Sequence, residues 1–180
     1  GAGYTLTAAS APLTGASSAG FNITPAAASK LAFSVQPSNA VAGVAIAPAV
    51  QVTVQDAFSN TVTSSTASVT VAIGTNPGGG TLSGTTTVSA ASGVATFSNL
   101  SIDKTGAGYT LATTSGALTP ATSTGFTISH AAPSRVVFSA QPTNAIAGAS
   151  VAPPVQVTVQ DAFNNTVTSS TASITVAIGN

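Results

Sequence analysis

Val50-Gln51-Val52-Thr53-Val54-Gln55-Asp56-Ala57-Phe58-Ser59-Asn60 reads first as a strand and then as a turn. Valines alternate with Gln and Thr, the period of two that turns one face of a strand to a core and the other away from it. Asp56 and Asn60 then bracket a polar turn, where short side chains can bond their own backbone. The same stretch returns as Val155 to Asn165, with Asn164 in place of Ser59 as the one change. The offset of 105 residues holds without a gap from Gly1–Thr75 to Gly106–Asn180, and about two-thirds of the paired positions are identical. A solenoid repeat spans ~20–50 residues and shares one core with its neighbours. A period of 105 matches a small independent domain instead. The chain therefore reads as a window of roughly 1.7 units from a tandem array of near-identical domains.

Working outward from that stretch, Val69, Val71 and Ile73 repeat the two-residue alternation. Lys30 to Gln36 reads as an opening strand stopped by Pro37. Val41 to Val50, with Gly43 and Pro48, suits an irregular edge. Thr85 to Ala90 and Val94 to Leu100 read as strands joined by a turn at Ser92-Gly93. Tyr109 to Thr113 and Phe126 to Ser129 complete the unit, and Gly78-Gly79-Gly80 reads as a mobile loop tip. No helical period is sustained anywhere. About seven short strands, with turn signals every ~8–12 residues, give an all-β fold and a β-sandwich.

Asp103-Lys104-Thr105-Gly106-Ala107-Gly108-Tyr109-Thr110-Leu111 resembles the tyrosine corner of immunoglobulin-like sandwiches. There a Tyr bonds backbone upstream, and the residue two further on faces the core. Tyr109 and Leu111 would form that pair, and Tyr4 and Leu6 the same pair one unit earlier. The plainer alternative is a Tyr that simply packs in the core.

Taken together, Val50 to Asn60, Ser68-Val-Thr-Val71, Gly80-Thr-Leu-Ser-Gly84, Ser92-Gly-Val-Ala-Thr-Phe97 and Gly108-Tyr-Thr-Leu111 are similar to bacterial immunoglobulin-like repeats. Those repeats build the stalks of invasin- and intimin-type adhesins. The resemblance covers a whole repeat. Phe58-Ser59 and Phe163-Asn164 depart from it, standing where the family often has a Gly-containing turn. It implies an immunoglobulin-like sandwich repeated in tandem: residues 1–28 as closing strands of one repeat, 29–133 as a complete repeat, and 134–180 as opening strands of the next. The joints Thr24 to Ala28 and Ser129 to Pro133 are short and contain Pro, which favours a semi-rigid rod.

Composition sets the limits on function. Only 3% of residues are charged, against ~25% in an ordinary domain, and the net charge is zero. There is no basic footprint for nucleic acid or for anionic lipid. No apolar run approaches the ~18–20 residues of a membrane span. Without Cys there is neither a disulfide nor a thiolate metal site. Hydrophobic residues nevertheless make up 43% and alternate at strand spacing, which argues against disorder.

The residues able to carry chemistry are few. His130, the lone His, stands in a joint where the preceding copy has Pro25, so a catalytic triad has no base held in a pocket. Asp56 and Asp161 recur between copies. They read as structural Asx turns, with a calcium ligand between domains as the alternative. Lys30 is a candidate nucleophile for an isopeptide cross-link, but its counterpart is Arg135, which does not deprotonate. With Trp absent and only Tyr4 and Tyr109, aromatic platforms for sugars are scarce.

The expectation is therefore a structural repeat of a large extracellular bacterial surface protein or fibre. It is not an enzyme and needs no cofactor. Its expected partners are neighbouring repeats of the same chain and, through homotypic self-association into a filament, other copies. An adhesin-type module that recognises glycans or a host surface through its loops is the alternative. The near-copied loops Thr61 to Ala67 and Thr166 to Ala172 suit a spacer better. The uncharged strand Val50 to Gln55 is either covered inside a sheet or packs between domains, since exposed edges usually carry charge. In a simple excerpt from a longer chain both ends are cut in mid-repeat. Donor-strand completion of one chain by the next is a further arrangement, although it would lack the strands equivalent to Asn76 through Thr105.

Overall fold

The computed structural model describes residues 1–179. Its regular elements are all strands. A small hairpin of β1 (Thr7–Ala8) and β2 (Ala16–Ser17) comes first. The central part follows with β3 (Ala28–Val35), β4 (Ala40–Val41), β5 (Val50–Asp56), β6 (Ser68–Ile73), β7 (Leu82–Ser83) and β8 (Thr87–Ser89). It continues with β9 (Val94–Phe97), β10 (Ser101–Ile102), β11 (Gly106–Tyr109), β12 (Leu111–Thr114) and β13 (Phe126–Ser129). A last pair is β14 (Arg135–Ala140) and β15 (Gln156–Gln160).

The Val50–Asn60 stretch lies at the centre of one sheet. Its strand β5 pairs antiparallel with β3 on one side and β9 on the other, with Val52 opposite both Phe33 and Ala95. Both rows of backbone hydrogen bonds are thus occupied, so this strand is no edge and needs no protecting charge. A second sheet places β6 between β12 and β8. β11 runs on into β12 and pairs with β13, which lies parallel to β4. Leu31, Val52, Val54 and Phe97 from the first sheet meet Val69, Val71 and Leu111 from the second, and Ile128 from the β11-β13-β4 sheet, in one buried cluster. Burying each such side chain is worth ~1.5–3 kcal/mol, which makes this cluster the main source of stability. Inward faces of two sheets closing on one core are consistent with a β-sandwich.

One loop differs from its sequence reading, and one turn is as read but with an added role. The Gly78–Gly80 segment is packed rather than free. A Cβ on Gly80 would lie 2.9 Å from Tyr109 Oη and 2.7 Å from Ile102 Cγ2. Gly78 and Gly80 are crowded by Tyr109, whereas Gly79 faces open space and is held only by its φ of +63°. The Ser92-Gly93 turn is a tight one, with φ of 50° and 78°. Ala91 and Val94 exchange hydrogen bonds of 2.9 and 3.0 Å across it. The strands on either side, β8 and β9, nevertheless belong to different sheets, so the turn carries the chain across the core rather than closing a sheet hairpin. Positive φ at both central residues suits Asn-Gly better than Ser-Gly. Ser92→Asn should therefore raise stability by about 0.5–1 kcal/mol in urea unfolding.

Positions 105 apart in sequence share geometry. β14 pairs with β15 in the register of β3 with β5: Arg135 opposite Gln160 as Lys30 is opposite Gln55, and Phe138 opposite Val157 as Phe33 is opposite Val52. The irregularity between Phe33 and Val35 recurs between Phe138 and Ala140. Tyr4 and Phe21 stack at 6.0 Å between ring centroids, and Tyr109 and Phe126 at 6.1 Å. Their surroundings differ. Tyr109 is fully buried while Tyr4 is 49% exposed, because the hairpin holding Tyr4 has no second sheet over it among the described residues. Residues 174–178 likewise form no strand, although Val69 to Ile73 do. The strands that flank β6 have no counterpart beside 174–178 among the described residues.

Candidate functional site

The turn that follows the repeated strand is the best-formed polar site, and it recurs. In the second copy, Asp161 Oδ1 accepts hydrogen bonds from the N–H of Phe163 and of Asn165, each 2.9 Å. Its Oδ2 accepts from Asn165 Nδ2 and from the N–H of Ala131, again at 2.9 Å. Asp56 does the same in the first copy, with Phe58, Asn60 and Ala26 as donors. The chain reverses through a left-handed residue in both turns, Ser59 at φ 69° and Asn164 at φ 66°. A carboxylate offers about four lone-pair positions. All are taken by N–H groups, so the geometry is that of an Asx turn, with no oxygen lone pair turned towards a cation. Ala26 and Ala131 lie in the sequence joints, so each Asp ties its own turn to the segment preceding its repeat.

These hydrogen bonds hold the carboxylates in their charged form. For Asp56 the Asn60 side chain contributes most; burial opposes it, the N–H groups of Ala26, Asn60 and Phe58 add to it, and the pKa falls below the ordinary 3.8. For Asp161 burial is the largest influence and pushes upward. The Asn165 side chain and the N–H groups of Ala131, Asn165 and Phe163 together outweigh it, and the pKa again falls below 3.8. Folded carboxylates that titrate below their unfolded value supply stability that is present above the unfolded pKa and is lost as pH falls through the folded one. The melting temperature should therefore stay level from about pH 8 to 5 and drop below about pH 4. Asp56→Asn with Asp161→Asn should flatten most of that drop in a pH series of thermal melts, leaving Asp103 as the remaining side-chain carboxylate.

The second-copy turn also reaches across the joint into the central core's loops. Asn165 Nδ2 donates to the Asp103 carbonyl at 2.8 Å, and Asn165 Oδ1 accepts from the Thr105 N–H at 3.0 Å. Lys104 Nζ donates to the Phe163 carbonyl. The Phe163 ring lies over Gly43 so closely that a Cβ there would fall 2.1 Å from its Cζ. Gly43 also has φ +76°, a second reason for glycine at this position. His130 Nε2 and Ser169 Oγ, 3.1 Å apart, add a contact between the joint and the loop beyond it.

Tyr109 stands directly behind this contact. Its Oη donates to the Lys104 carbonyl at 2.9 Å, five residues upstream, while Leu111 is fully buried. Burial pushes the Tyr109 phenol upward in pKa. The structure thus brings Asp161, Tyr109 and the Asp103–Thr105 segment into one continuous network. Tyr4 and Asp56 lie outside it. Lys30 Nζ bonds the exposed Ser59 Oγ at 2.8 Å, with no carboxylate at the contact. Gly43, Lys104 and Phe163 take part in this contact, a role the sequence reading did not give them: it placed Gly43 in an irregular edge, Lys104 in the tyrosine-corner run and Phe163 at a departure from the family pattern. Identity between the copies at Gly43/Gly148 and Phe58/Phe163 was an available signal for two of them. Lys104 has no second copy in the chain to compare.

No protein-family model matches the chain, and no curated protein matches it. Among solved structures it is similar to surface layer protein SbsC, domains 4-9, at 15% identity and a TM-score of 0.42. The likeness covers 86% of this chain and 23% of that one.

Proposed function

We propose that this chain is a stretch of immunoglobulin-like β-sandwich repeats serving as a stalk or filament building block of a large extracellular bacterial surface protein. The observation that carries this reading is the joint. The turn Asp161–Asn165 is hydrogen-bonded to Asp103, Lys104 and Thr105, and its Phe163 sits on Gly43. A connection of that kind transmits orientation, which a spacer needs and a catalyst does not. The strand order supports the immunoglobulin-like part: β3-β5-β9 on one side, and β8-β6-β12 with β11-β13-β4 on the other. The Tyr109–Lys104 bond has the form of a tyrosine corner. Near-copied loops support a spacer rather than a recognition tip, and the weakly charged surface supports lateral packing between copies.

Electron microscopy of the material from its source, with averaging along the axis, tests the proposal. Rods or filaments with a regular spacing of one sandwich per repeat are the expected result. Ordered lateral packing would add self-association, and separate rods would leave the stalk alone. Isolated compact particles without a repeating axial spacing would overturn the reading.

A further inference from the structure

Phe58 is the largest unpartnered apolar side chain on the surface of the central fold, 79% exposed at the tip of a turn built like that of Phe163. The two turns match in sequence, in their carboxylate hydrogen bonds and in their left-handed residue. They differ in what lies on them. Phe163 is partly buried against the core cluster and Asn165 is buried, whereas Phe58 and Asn60 are exposed. Asn165 Oδ1 accepts from Thr105 N–H, while Asn60 Oδ1 has no donor among the described residues. Asn60 is already held in place, its Nδ2 bonded to Asp56 Oδ2 at 3.0 Å. Such a surface is pre-organised, so docking onto it loses little ordering entropy.

We propose that the Phe58–Asn60 turn is a docking face for another sandwich of this kind, joined ahead of Gly1 in the same polypeptide. That unit would receive Phe58 on the counterpart of Gly43 and Asn60 on the counterpart of the Thr105 N–H. This rests on the stalk reading and sharpens it: each unit carries one aromatic knob and one glycine socket, so every joint repeats one angle. A second chain could offer only half of this site: its Gly43 is covered by Phe163, its Gly148 is open, and the counterpart of Thr105 that would accompany Gly148 is not among the 180 residues.

The absence of Trp makes the test direct. Phe58→Trp in the full chain should give the red-shifted, readily quenched emission of an exposed indole. Phe163→Trp should give shielded, blue-shifted emission. The decisive sample is an extended chain in which residues 1–105 are repeated ahead of Gly1. There the Phe58→Trp indole should become shielded, with acrylamide quenching several-fold weaker. Gly→Val at the added unit's counterpart of Gly43 should restore the exposed signal. Should the indole prove too large, with Phe163→Trp also exposed, amide exchange replaces fluorescence: the counterpart of Thr105 N–H in the added unit should be protected as Thr105 is. An indole that stays exposed, or an amide that stays unprotected, in a folded extended chain overturns the proposal. So does shielding of the Phe58→Trp indole in the original chain that grows with concentration, which would mean docking between chains. Flexible rods in the micrographs would overturn docking and spare the stalk; an absence of rods would overturn the stalk.

Discussion

Val52→Lys with Val54→Lys is expected to abolish the cooperative unfolding transition altogether. Both side chains are fully buried in β5, the central strand of its sheet, and Val52 faces Phe33 on one side and Ala95 on the other. An ammonium placed there has no acceptor and no route to water. Even after relaxation, burying an unpaired charge costs several kcal/mol, and a domain has only about 5–15 kcal/mol to lose. Two such charges exceed that margin. Far-ultraviolet circular dichroism against temperature is the check: a flat trace is expected, and a sharp transition near that of the unaltered protein would refute the placement of β5. Gln51→Lys, on the half-buried alternate position, is the control and should leave the transition within about 1 kcal/mol.

Gly78→Ala has the next largest expected effect. The added methyl would lie 2.1 Å from the Thr105 carbonyl oxygen and 2.5 Å from Tyr109 Oη. The first neighbour is backbone and cannot swing aside. The second is held by its bond to Lys104, so relief means moving the Tyr109 ring, buried against Phe126. Overpacking of this sort costs about 1–3 kcal/mol, and a lost buried hydrogen bond adds about 1 kcal/mol. Gly79→Ala separates crowding from strain. It meets nothing within 4 Å, and only its φ of +63° opposes a side chain, for about 1 kcal/mol. Urea titrations should rank Gly78→Ala well below Gly79→Ala in midpoint. Equal midpoints would mean that the loop is loose after all.

That loop also marks the limit of what the sequence discloses. Three successive glycines look the same whether the chain is unrestrained or pressed against a ring, since freedom and crowding both favour glycine; the difference lies in Tyr109, some thirty residues away. Strand identity was legible because the period of two is written locally, and β5, β6 and β13 fall where the alternation puts them. Each Asp turn is local in three of its four donors, which lie within four residues of the carboxylate, while the fourth, the N–H of Ala26 or Ala131, lies 30 residues away and was not legible. The joint was not. Lys104 meets Phe163 across 59 positions, and nothing in either local pattern names the other. The turn at Ser92-Gly93 was read correctly as a turn, yet not as a crossing between sheets, because turn chemistry fixes a local reversal and not which sheet each arm joins.

The clasp of Asp161 on the Ala131 amide leaves no slack between one core and the following turn. Adding or deleting a single residue between Ser129 and Ser134 would carry Phe163 off Gly43 and rotate everything beyond it. In an array docked as proposed, inserting a whole period of 105 residues would repeat knob, clasp and socket together and leave the joint geometry as it is. The length of such an array would vary in whole steps, and its pitch would not.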